Sequence, residues 1–307
     1  MKKIIILALT FLLALPAGVI AQQRPLSVVT SFYPLYIFAQ NILKDVPGVA
    51  LSNLTHPTTG CLHDYQLLAG DMRALSTADA LIINGGGMEA FLDPVREQFK
   101  ALSVIDTSLG IELIPAFDLG HEEDETQEEH AQHDHGVFNA HIWLDPQNAI
   151  MMSAAMAQAL GLLLPQSAAH ISANLEAFTA RLSTLDEEIR EQLSSLKSRD
   201  IVTFHEAFPY FAKAYGLHVV AVLALEPEQA LTPQMLAVLV EKVKAANLPP
   251  LFTEPQYEDR AARAVALETG ALIYELDPIV TGDGAPDAYE QGMRRNAQTL
   301  VSALGTK

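Results

Sequence analysis

A single cysteine, Cys61, stands in 307 residues. No internal disulfide is therefore available, even in a compartment that would permit one. Cations are also scarce: 19 Lys and Arg face 37 Asp and Glu, for a formal net charge of −18. That balance excludes a nucleic-acid binder, which needs a basic face to meet phosphates. It suits attraction of cations, although a solvated acidic surface alone produces the same count. After the opening segment no apolar run is long enough to cross a bilayer. No HExxH-type helix is present either, which removes one common framework of a zinc hydrolase.

What is present is a large store of core-forming side chains. Half the residues are hydrophobic, so a packed protein of two ordinary domains is expected and wholesale disorder is not. The opening MKKIIILALTFLLALPAGVIAQQ has two lysines, an apolar stretch and a small-residue cleavage site. Residues 1–21 are expected to be a secretory signal peptide. No cysteine adjoins the cleavage site to carry a lipid. The expected destination is therefore the periplasm, as an unanchored monomer.

Two blocks of alternating strand and helix patterns are expected, at 22–165 and 199–307. In the first, strands fall near 26–30, 48–55, 78–86 and 103–108, with a helical pattern at 64–76. In the second they fall near 201–204, in HVVAVLAL, in PPLFTEPQ and at 271–276, with Thr232-Pro233 as a helix start and a closing helix over 286–304. Such alternation predicts an α/β fold, each block a parallel sheet flanked by helices. Between them, over 166–198, Ile171, Leu175, Phe178, Leu182, Leu185, Ile189, Leu193 and Leu196 recur at spacings of three and four. One apolar stripe on one long helix follows, a rod of roughly 45 Å. Its plain reading is a surface helix; its sharper one is a rigid connector between two lobes.

Histidines mark the candidate chemistry. His121, His130, His133 and His135 lie in the acidic stretch 120–136, which is nearly free of apolar residues and is expected to be a solvated loop. It either scavenges divalent metal or binds it only incidentally. His63 follows the second strand region; His141 precedes Asp145-Pro146, a helix cap and first turn; His205 ends the strand in IVTFHEAF. Asp277 occupies the same kind of position after the last strand, where it would equally serve to cap a turn. Open α/β sheets place ligand residues at such strand ends. Taken singly each histidine is more often structural than a ligand, and spacing alone does not make the four converge.

VTSFYPLY, HDY, the His-rich loop before HIWLDP, the long helix, TFHEAFPYFAKAYGL, EPEQALTPQML, FTEPQ and YELDPI follow one another along the whole mature chain. In this order they resemble a zinc-binding solute-binding protein of a metal ABC importer, in the cluster of zinc and manganese binders. The resemblance implies two α/β lobes joined by a rigid backbone helix, with one cation in the cleft. It carries metal ligands onto His63, His141 and His205 and an acidic position onto Asp277. It also implies a membrane permease as partner, Zn²⁺ as the bound divalent ion, and no enzymatic activity. Three imidazoles with a carboxylate suit tetrahedral Zn²⁺ and leave Cu²⁺, Ni²⁺ and Co²⁺ possible. Relatives that bind manganese carry a carboxylate at the His205 position. The alternatives are a manganese or iron binder of the same family and a secreted zinc-dependent hydrolase with Glu206 or Asp277 as base. The stretch before His63 departs from the family: Cys61-Leu62 stands where proline or a carboxylate precedes the histidine. Cys61 is then either a thiolate beside His63 or, as unpaired cysteines more often are, a small buried hydrophobe.

Overall fold

The structure is a computed structural model and describes residues 24–56, 62, 65–116, 137–223 and 232–305. Strands β1 (Leu26–Thr30), β2 (Val49–Asn53), β3 (Ala80–Ile83) and β4 (Ser103–Asp106) form the first sheet. Strands β5 (Asp200–Thr203), β6 (His218–Val222), β7 (Leu251–Thr253) and β8 (Ile273–Glu275) form the second. Both sheets are parallel, and both follow one plan: β2-β1-β3-β4 and β6-β5-β7-β8. Central strands are buried on both faces, as β3 and β7 are throughout, whereas the edge strand β2 alternates. In each sheet the strand order reverses between the first and third strands, which opens a crevice at their carboxyl ends.

Helices α1 (Tyr33–Ile42), α2 (Ala69–Thr77), α3 (Asp93–Gln98) and α4 (Pro146–Leu163) belong to the first half. Helices α6 (Pro209–Tyr215), α7 (Pro233–Ala245), α8 (Arg260–Thr269) and α9 (Ala288–Leu304) belong to the second. Asp145 caps α4, its Oδ1 accepting from Gln147 N at 2.8 Å, and Thr232 caps α7 through Met235 N at 3.2 Å. Helix α2 starts later than the periodicity predicts. The Asp71 carboxylate accepts from Leu68 N at 2.7 Å and from the Tyr65 hydroxyl at 2.8 Å, which ties the first turn at Ala69.

Helix α5 (Ala168–Ser194) is the long helix, 27 residues rather than the 33 the pattern spans, or about 40 Å at 1.5 Å per residue. Its stripe of Ile171, Phe178, Leu182, Leu185, Ile189 and Leu193 is buried. Each such side chain contributes roughly 1.5–3 kcal/mol. The helix is not a free rod, because its stripe joins a core that runs from Val28 and Phe38 to Ile201, Phe252 and Tyr289. Polar contacts tie it to both halves. Asn174 Nδ2 donates to the carbonyls of Ile42 and Lys44 at 3.0 and 2.8 Å, closing the end of α1. Arg181 and Glu188 pair with Glu290 and Arg294 of α9 at 3.0 and 2.8 Å. Gly282 approaches Tyr33 so closely that a Cβ there would lie 2.2 Å from the tyrosine oxygen. Any side chain at 282 would require the Tyr33 ring or the second lobe's loop to move. Among the described residues no helix is long and apolar enough to cross a membrane.

Candidate metal centre

His205 follows β5 and Glu254 follows β7, so both sit at the crevice where the second sheet reverses its order. Glu254 is buried, and its Oε1 meets His205 Nδ1 in a short contact. A carboxylate there takes the Nδ1–H and leaves the Nε2 lone pair directed outward. His141 enters from the first lobe, on the short 3-10 turn Ile142–Leu144 that leads into α4. Its Nδ1 lies 3.2 Å from Asn139 Oδ1, which also accepts from His141 N at 3.0 Å. The amide orientation follows from its other end, since Asn139 Nδ2 donates to the Glu206 carbonyl at 2.6 Å.

Both rings therefore hold an acceptor at Nδ1 and present Nε2. The two Nε2 atoms face each other across the lobe boundary, 3.3 Å apart, on side chains 2% and 1% exposed. Two nitrogens bound to one tetrahedral ion at about 2.0–2.1 Å stand about 3.3 Å apart. Two such lone pairs repel without a cation between them. The rings are steadied by aromatic edges: Trp143 lies 5.1 Å from His141 and Tyr257 6.0 Å from His205, centroid to centroid.

Of the four residues singled out from the sequence, His141 and His205 are brought together. His63 and Cys61 lie outside the described residues, as does the whole stretch 120–136. Asp277 follows β8, and its Oδ1 accepts from Ile279 N at 2.8 Å and Gln256 Nε2 at 3.0 Å, the turn-capping arrangement. Its turn is tied to that of His141, since Trp143 Nε1 donates to the Pro278 carbonyl at 2.8 Å. Among the described residues no three His, Cys, Asp or Glu side chains group to hold a metal. Sequence reasoning missed Glu254 and Asn139. A carboxylate ending a strand was a visible signal for Glu254 in FTEPQ; for Asn139, two residues before a candidate histidine, there was none.

Known proteins share this plan. The zinc-binding protein AdcA of Streptococcus pyogenes is 25% identical over 98% of the chain, which spans only 61% of that relative's length. The high-affinity zinc uptake system protein ZnuA of Brucella abortus is 29% identical over 97% of both chains. The iron-binding protein YfeA of Yersinia pestis is 28% identical over 92% of this chain and 87% of its own. A solved ZnuA deletion mutant with zinc bound superposes with a TM-score of 0.76 at 27% identity, covering 92% of this chain and 99% of that one. The family described as zinc-uptake complex component A, periplasmic (ZnuA), matches residues 28–303, and the chain belongs to it.

Proposed function

We propose that the protein captures Zn²⁺ in the periplasm and delivers it to the permease of an ABC importer, as a carrier that catalyses no reaction. The observation that supports this reading is the 3.3 Å separation of the His141 and His205 Nε2 atoms across the lobe boundary. His63 is the proposed third imidazole and Asp277 the acidic member. The lobes are read as 22–165 and 199–307, with 166–198 between them and 1–21 as the exported leader. Nitrogen ligands favour a borderline ion over hard Mn²⁺. The names of the zinc-binding relatives point the same way, while the iron-binding relative makes metal identity the first thing to measure. As a hydrolase the site is poorly equipped, because the Asp277 carboxylate is engaged by Ile279 N and Gln256 Nε2 and the Glu254 carboxylate by His205 Nδ1.

The test is competition titration of metal-free protein against a chromophoric chelator with Zn²⁺, Fe²⁺ and Mn²⁺. Zn²⁺ is expected to bind most tightly of the three. His141→Ala and His205→Ala should each weaken it by more than the 10–100-fold typical of losing an outer partner of a ligand. Unchanged Zn²⁺ affinity in both variants would refute the site.

A further inference from the structure

Asn139 sits behind the facing imidazoles, at the seam between the lobes. Its backbone is held by Asn139 N donating to the Ile114 carbonyl at 2.8 Å and by the Tyr210 hydroxyl donating to its carbonyl at 2.8 Å. Tyr210 belongs to α6 of the second lobe, and its oxygen also accepts from Ile114 N at 3.0 Å. The side chain is 4% exposed and divided between the lobes. Oδ1 receives the His141 ring and backbone N–H, while Nδ2 reaches the carbonyl of Glu206, the residue after His205. An amide is the group that accepts from an imidazole at one end and donates to a carbonyl at the other. Aspartate would keep the acceptor but set its second oxygen against the Glu206 carbonyl. Alanine would keep neither.

We propose that Asn139 is a positioning residue that sets both histidines at once. It holds the His141 tautomer that presents Nε2, and it fastens that turn to the backbone of the His205 loop. The imidazoles are then a preset pair rather than two independently mobile ligands, and separating the lobes at this point means breaking the Asn139–Glu206 bond. This rests on the proposed cleft site, deepening it.

The experiment compares wild type, Asn139→Ala, Asn139→Asp and His205→Ala as the mature chain. It reads Zn²⁺ affinity by chelator competition, the visible spectrum of the Co²⁺-loaded protein and the melting temperature of the metal-free protein. Asn139→Ala is expected to weaken Zn²⁺ by 10–100-fold and alter the Co²⁺ bands. Asn139→Asp, close to isosteric, keeps the acceptor at His141 Nδ1 and loses the cross-lobe bond. It should keep the wild-type Co²⁺ bands and lower the melting temperature of the metal-free protein. If Asn139→Ala does not fold, these two readings of Asn139→Asp carry the decision. Asn139→Ala within twofold of wild type in Zn²⁺ affinity overturns the proposal. So does a metal-free melting temperature of Asn139→Asp equal to wild type, which would leave the cross-lobe bond without effect, or Co²⁺ bands altered in Asn139→Asp, which would leave the ring contact without effect. His205→Ala separates the failures: if it too leaves affinity unchanged, the cleft site itself is wrong; if it abolishes tight binding while Asn139 is silent, only the present inference falls.

Discussion

Replacing Glu254 by glutamine isolates what a buried carboxylate does for His205, the proposed metal ligand. The two side chains have nearly the same shape, so packing at the end of β7 is preserved. What changes is the acceptor at His205 Nδ1: the carboxylate Oε1 now in contact with it becomes either a neutral amide oxygen or an NH₂ group. A hydrogen bond involving a charged group is worth about 1.5–3 kcal/mol, about twice a neutral one. Losing roughly half to all of it converts to about 4–160-fold in affinity, which brackets the 10–100-fold range of outer partners of metal-bound histidines. The effect falls on the metal-bound form, because the ion draws charge from the ring and strengthens its Nδ1–H as a donor. Zn²⁺ competition titration at fixed pH, with urea unfolding of the metal-free protein alongside, checks both halves. Affinity should fall by that factor while metal-free stability moves little. A Zn²⁺ dissociation constant within twofold of wild type would refute the orientation of His205 derived from this contact.

Two further perturbations test the scaffold. Phe178 is fully buried on α5, with its ring 5.8 Å from Phe38 of α1. Phe178→Ala should cost about 3–5 kcal/mol in urea unfolding while leaving Zn²⁺ affinity within a few-fold, since its ring packs on Phe38 rather than on either facing imidazole. Glu89 is buried, and burial pushes its carboxyl up to about 7 from 4.5 against the pull of Ser31, Asn84 and Gly85. A folded-state value raised above the unfolded one means stability that is fully present below about pH 4.5 and is lost as pH rises through about 7. The loss is on the order of 3 kcal/mol. Urea midpoints of metal-free wild type should therefore fall relative to Glu89→Gln between pH 4.5 and 8, and parallel profiles would refute it.

Local signals in the chain were legible because they depend on neighbours in sequence. The three-and-four spacing from Ile171 to Leu193 is a buried stripe, and Asp145-Pro146 and Thr232-Pro233 are capped starts. The ends of elements were less so. The first turn of α2 is fixed by the Asp71 carboxylate on Leu68 N and Tyr65, and periodicity does not register such bonds. The site was legible residue by residue but not as an arrangement. His141 and His205 are 64 positions apart, and His205 and Glu254 are 49 apart. Only the strand order, which places β7 beside β5, makes the second pair adjacent. Asn139 is harder still, because its role lies in facing two loops from different lobes.

The two lobes share one topology yet treat the same crevice differently. In the first lobe, Ser31 follows β1 and Asn84 follows β3, and the Glu89 carboxylate closes the space between them. It accepts from Ser31 Oγ at 2.6 Å, Asn84 N at 2.7 Å and Gly85 N at 3.1 Å. In the second lobe, His205 follows β5 and Glu254 follows β7, and the carboxylate again joins the segments leaving the two strands. Each crevice thus holds a buried acid, but its donors differ. Hydroxyl and backbone N–H groups end at the carboxylate, so Glu89 is a strut and nothing passes beyond it. An imidazole has a second nitrogen on its far side, so Glu254 acts through His205 into the cleft. With its own crevice filled, the first lobe supplies a histidine from outside the sheet, on the turn before α4. Asn84 Nδ2 moors that turn to the end of β3 by donating to the Ala140 carbonyl at 2.9 Å. One lobe presents a histidine from its switch point and the other from a moored turn, which brings two imidazoles face to face between the lobes.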